Sequence, residues 1–124
     1  MAKNQSPPEA WEQEQLFAWL RANQAKHTVF QLVNASMNGV RVSPRLRLAM
    51  KRQGLRAGVP DIDVPVARGG YHGLRIELKR QHGGQVSREQ KAFHALLLAE
   101  GYRVEVCKGW REAQSVILDY LAIG

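Results

Sequence analysis

Residues 58–79, GVPDIDVPVARGGYHGLRIELK, contain the pattern that decides the fold. A Gly-Val-Pro turn precedes Asp61–Val66, which we interpret as a strand whose internal Pro65 predicts an edge position or an early end. The glycine-rich segment 68–73 predicts a hairpin loop. Residues Leu74–Lys79 alternate apolar and charged side chains, which is the pattern of a half-buried strand. The stretch therefore predicts two neighbouring strands joined by a loop.

The rest of the chain alternates between helix and strand patterns. In chain order, the expected elements are a helix over 9–21, a strand over 29–33, a loop over 34–44, a short basic helix over 45–52, then the two strands, a helix from Ser87 to Gly101, a strand over 102–107 and a helix over 110–123. This order predicts an α/β fold with a small mixed sheet flanked by helices. We expect a single domain over residues 1–124, with residues 1–6 flexible.

Capping patterns and apolar stripes orient the predicted helices. Ser6 and Ser87 are each followed three residues later by a Glu or a Gln, which predicts a capping box at the start of two helices. The expected inward residues are Leu16, Phe17 and Leu20, with Gln13 and Glu9 extending that stripe, then Phe93, Leu96 and Leu97, and finally Ala113, Ile117, Tyr120 and Leu121.

The composition narrows the classes of function. The net charge is +7, from 18 Lys+Arg against 11 Asp+Glu, which favours a polyanionic partner although a merely soluble basic protein would look the same. The single cysteine, Cys107, excludes an intramolecular disulfide, and no Cys/His zinc pattern is visible. No apolar run is long enough to span a membrane, and the N-terminus lacks the apolar core of a signal peptide. We expect an intracellular, cytoplasmic protein.

The charged residues of the predicted hairpin carry the expected chemistry. Strand periodicity places Glu77 and Lys79 on one face, roughly 6–7 Å apart along the strand. Asp61 begins the preceding strand and converges with Glu77 if the two strands pair. Two carboxylates form an oxygen site for Mg²⁺ or Mn²⁺, beside which a lysine can orient water or stabilise charge on phosphate. Each residue alone is more often a solvated charge, so the prediction depends on the combination.

The combination resembles the VRR-NUC branch of the PD-(D/E)XK nuclease superfamily. Residues 58–62 (GVPDI) are similar to its GxPD block, 76–79 (IELK) to its ExK block and 87–90 (SREQ) to its S-x-x-Q block. Asn34 is similar to an asparagine that the family carries after its first strand, and 101–106 (GYRVEV) to its Gly-Tyr-x-Val-x-Val strand.

This resemblance covers roughly residues 9–123 and assigns roles to the residues of its blocks. It implies that Asp61 and Glu77 are metal ligands, assisted by the Leu78 carbonyl, and that Lys79 is the catalytic lysine. It also implies that Gln90 supports the site, although Ser87 and Gln90 equally form a capping box. The Val-Arg-Arg signature that gives the family its label has only Leu74-Arg75-Ile76 as its nearest counterpart here, and nothing is carried over from it.

The family also carries a glutamate on its first helix. We favour Glu9, because it continues the stripe of Leu16 and Leu20 backwards and so would point towards the sheet. Glu12 is the second choice. The alternative for Glu9 is that it only completes the capping box of Ser6.

The expected DNA surface consists of basic and polar side chains around the catalytic turn. Its members are Asn34, Arg41, Arg45, Arg47, Lys51, Arg52, Arg56 and Arg75. They would contact phosphates and position DNA without reading its sequence. Some of them would simply face solvent. His94 is interpreted as a helix-surface or partly packed residue and not as a base.

The sequence therefore predicts a structure-selective DNA endonuclease that depends on Mg²⁺ or Mn²⁺. The resemblance to compact phage and bacterial members favours an activity like that of a Holliday-junction resolvase, acting as a homodimer on branched DNA. Trp11, Trp19 and Trp110 are possible interface residues, or else core residues. A flap or nicking nuclease with the same site, and a basic DNA-binding module without catalysis, are the alternatives.

Overall fold

The computed structural model describes residues 6–124. The described helices are α1 (Glu9–Asn23), α2 (Pro44–Arg52), α3 (Arg88–Ala99) and α4 (Trp110–Leu121), with a 3₁₀ helix at Thr28–Leu32; the strands are β1 (Asn34–Ala35), β2 (Ile62–Val64), β3 (Leu74–Lys79) and β4 (Arg103–Lys108). The strands form a mixed sheet in the order β1-β2-β3-β4. The α/β fold with a small mixed sheet is confirmed, whereas residues 1–5 of the expected flexible segment lie outside the described part.

The hairpin predicted by the sequence forms the middle of the sheet. β2 pairs with β3 in antiparallel register, Ile62 opposite Ile76 and Val64 opposite Leu74. Pro65 follows β2 directly, as its lack of a backbone N–H leads one to expect. β3 and β4 are parallel, so the chain between them must cross over, and α3 supplies that connection.

Helices cover both faces of the sheet. α1 and α4 pack on each other and on β3, over the buried side chains of Leu74, Ile76 and Leu78. α3 covers the other face, where Glu77 and Lys79 point. The core also contains Cys107, whose burial raises the pKa of the thiol to about 12. None of the described helices has the length and apolar character needed to cross a membrane.

The expected half-buried character of β3 is wrong, because α3 covers its polar face. Glu77 is 1% exposed and Lys79 is 7% exposed. The inward stripe of α3 also differs from the expected one. His94 is the buried residue of that helix, whereas Leu96 is 69% exposed.

The expected strand over 29–33 is wrong, because Thr28–Leu32 forms a 3₁₀ helix. In a 3₁₀ helix side chains three residues apart lie on the same side. Phe30 and Val33 have this spacing and are both buried, with Phe30 packed on the rings of Trp19 and His27. The extended segment that pairs with β2 begins only at Asn34.

The start of α1 differs from the predicted capping box. The N-cap is Pro8, without a side-chain cap, and Ser6 instead accepts a hydrogen bond from Arg80 Nε at 3.0 Å. The buried residues of α1 are Glu12, Leu16 and Leu20, so the inward stripe passes through Glu12 and not through Glu9.

Candidate active site

Asp61 directly precedes β2, at the point where β3 extends beyond its pairing with β2 and is paired only with β4. Its Oδ2 atom accepts a hydrogen bond from the backbone N of Leu78 at 2.7 Å, so the side chain replaces the strand partner that β3 lacks at this point. In an extended strand the N–H and C=O of one residue point to the same side. The Leu78 carbonyl therefore lies on the Asp61 side of β3.

The carboxylate of Glu77 is buried and held by two residues of α3. Gln90 Nε2 donates to Glu77 Oε2 at 3.0 Å, and His94 Nε2 lies 3.1 Å from Glu77 Oε1. Gln90 and His94 are four residues apart, so they present their side chains from the same face of the helix. One helical face thus fixes both oxygens of the carboxylate.

The surroundings of Glu77 disfavour its negative charge. Burial, a side-chain hydrogen bond with Asp61 and the negative charge of Asp61 together raise the pKa of Glu77 to about 9, against an opposing effect of Lys79. At neutral pH and without a cation, Glu77 is therefore protonated. A pair of carboxyl groups that retains a proton in this way favours a nearby positive charge. A divalent cation can supply that charge in place of the proton.

Lys79 joins the same network through Gln90. Its Nζ atom donates to Gln90 Oε1 at 3.1 Å. That oxygen also accepts the backbone N–H of Ser87 at 2.8 Å, and Ser87 Oγ accepts from the Gln90 N–H. The capping box is therefore confirmed, and the same glutamine contacts both Lys79 and Glu77. The Gln90 side chain therefore belongs both to the N-terminal cap of α3 and to the network around Glu77.

Gly58 allows the Asp61 turn to lie against α3. Its φ angle is +89°, in the region that favours glycine. A Cβ atom added there would lie 2.4 Å from the backbone oxygen of Glu89, in the first turn of α3. The glycine of the GVPD stretch is thus required for a close backbone approach, which brings Asp61 and Gln90 to one site.

Glu9 and Glu12 occupy different environments. Glu9 is exposed and borders a cavity together with Asp61, Glu77 and Gln90, and its charge contributes to the raised pKa of Glu77. Glu12 is fully buried elsewhere: it accepts from the backbone N of Trp110 and from Gln81 Nε2, both at 2.9 Å. Glu12 therefore stabilises the start of α4, and Glu9 is the helix-1 carboxylate that the structure brings to the site.

His94 is the site residue that the sequence interpretation missed. It is 8% exposed rather than on the helix surface. Burial, and then the charge of Lys79, lower the pKa of His94, so the imidazole is neutral at neutral pH. The spacing of four residues from Gln90 was the available signal, because a buried face that contains Gln90 must also contain His94.

The predicted DNA-binding residues divide into free and engaged side chains. The exposed ones are Asn34, Arg41, Arg45, Lys51, Arg52 and Arg56, of which Asn34 is engaged, because its Nδ2 donates to the backbone oxygen of Leu32 at 3.0 Å. Arg47 is half-buried and donates to the backbone oxygen of Val40 at 2.6 Å. Arg75 is paired with Asp63, Nε to Oδ1 at 2.9 Å, and lies over the ring of Tyr102. Arg75 is thus less available to a phosphate than the exposed arginines.

The oxygen atoms of the site suit Mg²⁺ or a similar cation that the protein coordinates only in part. Within residues 6–124 no group of three or more His, Cys, Asp or Glu side chains could hold a metal ion. Asp61, Glu77 and the Leu78 carbonyl offer oxygen ligands on one side. Mg²⁺ commonly binds one or two carboxylates and completes its octahedron with water and substrate phosphate. Two carboxylates at a cavity are therefore sufficient for such an ion, and Glu9 lies on the border of the same cavity.

A mixed sheet with helices on both faces, and an Asp-Glu-Lys set at the end of its hairpin, define a restriction-endonuclease-like domain. The family model of the VRR-NUC domain matches residues 4–110. A solved structure described as a VRR_NUC domain protein is similar with a TM-score of 0.80 at 32% sequence identity, over 97% of this chain and 93% of that chain. Comparison with curated proteins gives no match. The chain therefore belongs to the VRR-NUC family, a family of nuclease type.

Proposed function

We propose that this protein is a divalent-metal-dependent DNA endonuclease that hydrolyses phosphodiester bonds at Asp61, Glu77 and Lys79. The observation that carries the proposal is the carboxyl pair itself. Asp61 is fixed by the Leu78 N–H, and Glu77 is buried beside it and held at both oxygens. The raised pKa of Glu77, caused first by burial and then by Asp61, supports a site that favours a bound cation over a second negative charge.

The residues of the chain divide the chemistry between them. Mg²⁺ or Mn²⁺, when bound by Asp61, Glu77 and the Leu78 carbonyl, would polarise the scissile phosphate and lower the pKa of a bound water. Lys79 is placed two residues along the strand, on the same face as Glu77. Its ammonium group is suited to orient the attacking water or to stabilise the negative charge that builds on phosphate. Gln90 positions that amine through the 3.1 Å hydrogen bond.

The preferred substrate that we propose is branched DNA, with an activity like that of a Holliday-junction resolvase. The net charge of +7 and the exposed arginines on and around α2 support binding to the DNA backbone. The described residues, 6–124, form one nuclease-type domain without a separate sequence-reading module among them. A flap or nicking activity by the same residues is the second candidate, because one domain contains one such site.

A binding module without catalysis is less well supported. A lysine is seldom buried unless it is paired, and keeping Lys79 at 7% exposure beside Gln90 has an energetic cost. Gln90 contacts both Lys79 and Glu77, and His94 contacts Glu77, so the buried lysine and carboxyl group belong to one network, as expected if they serve one reaction. A module that only binds phosphate would place its lysines at the surface.

Supercoiled plasmid tests the proposal directly. The wild-type protein should nick or linearise it with Mn²⁺ and not with EDTA. Asp61→Asn, which keeps an acceptor for the Leu78 N–H, and Lys79→Ala should both lose cleavage. Asp63→Asn is the matched control, since Asp63 is a carboxylate two residues away that pairs with Arg75. Cleavage of the supercoiled plasmid by Asp61→Asn at the wild-type rate would overturn the assignment.

A further inference from the structure

A groove opens from the candidate active site along α1. Its volume is about 730 Å³, within the range of ligand pockets, and it lies between α1 and the segment that follows β1. Asp61 and Leu78 line it, so the groove and the metal site share residues. Along α1 its wall contains a stripe of residues four apart, Glu9, Gln13, Phe17 and Arg21, with Ala10 and Glu14 beside it. This stripe extends over about 18 Å.

The charges along the groove are uneven. Glu9 borders the end next to the carboxyl pair, and Arg21 lies three turns further along the same face of α1. Arg41 contributes a second cation from the opposite wall. Between them the lining consists mainly of apolar and uncharged side chains, with the ring of Phe17 half-buried in the wall, while Glu14 also lines the groove.

We propose that this groove receives an unpaired nucleotide of the strand that is cut, with its base against Phe17. The proposal rests on the proposed function, because it takes the scissile phosphate to lie at Asp61 and Glu77. A strand bound there continues directly into the groove. A paired base could enter only with its complementary strand, whereas an unpaired base can leave the stack and enter alone.

The residues that line the groove suit a nucleotide with its base better than several successive backbone phosphates. A phosphate in the middle would lie near Glu14 without a neighbouring cation of its own. A base is neutral and presents a flat apolar face, which stacks on aromatic side chains without regard to sequence. The phosphate on the far side of that nucleotide would then meet Arg21 or Arg41. The active site would thereby prefer branched DNA in which a nucleotide of the cut strand is unpaired at the point of cleavage, and a single-stranded arm supplies such a nucleotide for the test.

Binding without metal tests this inference separately from catalysis. In EDTA, fluorescence anisotropy would give the affinity for a blunt duplex, for the same duplex with a single-stranded arm of either polarity, and for that arm with an abasic first nucleotide. We expect the wild-type protein to bind one armed duplex about tenfold more tightly than its abasic form, within the range of one base–aromatic stack. Phe17→Leu should remove this difference and leave blunt-duplex affinity unchanged.

Two further variants keep the result interpretable. Trp11→Leu is the matched control, because it replaces an exposed aromatic residue of the same helix that does not line the groove, and it should keep the preference. Ala10→Trp, at an exposed position of the groove wall, should abolish the preference by filling the space even if Phe17→Leu folds poorly. Equal affinity of the wild-type protein for the normal and abasic arms would overturn the proposal. Lack of cleavage with Mn²⁺, with the arm preference intact, would instead overturn the proposed function.

Discussion

His94 Nε2 lies 3.1 Å from Glu77 Oε1, while Gln90 Nε2 lies 3.0 Å from Glu77 Oε2. The carboxylate is therefore held at both ends from one face of α3. Each carboxylate oxygen has two lone-pair positions, so one on each oxygen remains for a cation or for the shared proton. The two contacts select one orientation of Glu77 relative to Asp61, which is how groups around metal ligands commonly act.

His94→Ala should weaken metal binding more than it weakens the fold. Loss of a group that orients a metal ligand typically lowers metal affinity by about 10- to 100-fold. Calorimetric titration of the purified protein with Mn²⁺ measures this without DNA and without cleavage. His72→Ala, at an exposed histidine outside the site, is the matched control. Wild-type Mn²⁺ affinity in His94→Ala would show that His94 only fills space beneath α3.

Glu77→Gln should stabilise the metal-free protein at alkaline pH. The pKa of Glu77 is raised from 4.5 to about 9, so between these values the folded protein holds a proton that the unfolded chain has released. The free energy of unfolding therefore falls as pH rises through this window. Glutamine has no proton to lose, so its profile should be flatter and its Tm at about pH 8 higher, by about 4 °C for each 1 kcal/mol.

Thermal melts in EDTA between about pH 7 and 9 measure this difference. The lowered pKa of His94 has the opposite effect only below pH 6.5, outside the window used. Asp63→Asn should keep the wild-type slope, because Asp63 is paired with Arg75 and not with Glu77. Adding Mn²⁺ should raise the Tm of the wild-type protein and not that of Glu77→Gln. Parallel pH profiles for wild type and Glu77→Gln would contradict the assigned protonation.

The local pattern of residues 58–79 was sufficient for the hairpin and for the convergence of Asp61 with Glu77. Strand alternation and Pro65 are local signals, and the structure follows them. The burial of Glu77 and Lys79 could not be predicted from this local pattern. It depends on α3 crossing over the polar face of β3, and that packing is specified by distant residues.

The errors on helices have a similar origin. On α1, Glu9 and Glu12 both fit a helical stripe with Leu16 and Leu20, and the choice between them depends on where the N-terminus of α4 lies. Glu12 is buried because the Trp110 N–H needs an acceptor. That partner is 98 residues away in the chain, so periodicity within α1 carries no information about it.

Replacing Arg45 and Arg47 with alanine should flatten the salt dependence of DNA binding. Each phosphate neutralised by a basic residue contributes about −0.9 to the slope of log affinity against log salt. Loss of both contacts should reduce the slope by up to about 2. Arg47 also holds the Val40 carbonyl, so the single Arg45→Ala variant separates charge from loop structure. A double variant of Lys26 and Arg111, both exposed, removes equal charge and should leave a steeper slope. Equal salt slopes for the two double variants would show that the arginines of α2 are solvated surface charges without specific contacts to DNA.

The protein should act as a homodimer on four-way junctions. One domain has one Asp61–Glu77–Lys79 site and one site cuts one strand, whereas symmetric resolution needs two cuts at a fixed spacing. A two-fold dimer supplies both sites from one sequence. The tryptophans contribute little to this argument, because Trp19 and Trp110 pack against the core and only Trp11 is exposed. Large exposed apolar side chains lie on several elements, among them α3 with Leu96 and Leu98, and a group of them lies on α2 and the segment before it: Met37, Val40, Leu46 and Leu48.

Sedimentation equilibrium at micromolar concentration tests the assembly, and a junction whose four strands are separately labelled tests the symmetry of the cuts. We expect a dimer that makes paired cuts on opposing strands. Replacing Leu46 and Leu48 with glutamate should give a folded monomer that still nicks plasmid but no longer pairs its cuts, whereas Leu118→Glu on α4 should leave the dimer intact. A wild-type monomer that nevertheless cuts junctions in symmetric pairs would contradict the need for two sites. A wild-type monomer that only nicks or removes flaps would leave Asp61, Glu77 and Lys79 as the proposed catalytic residues and favour the flap or nicking activity, because a single site is sufficient for cutting one strand.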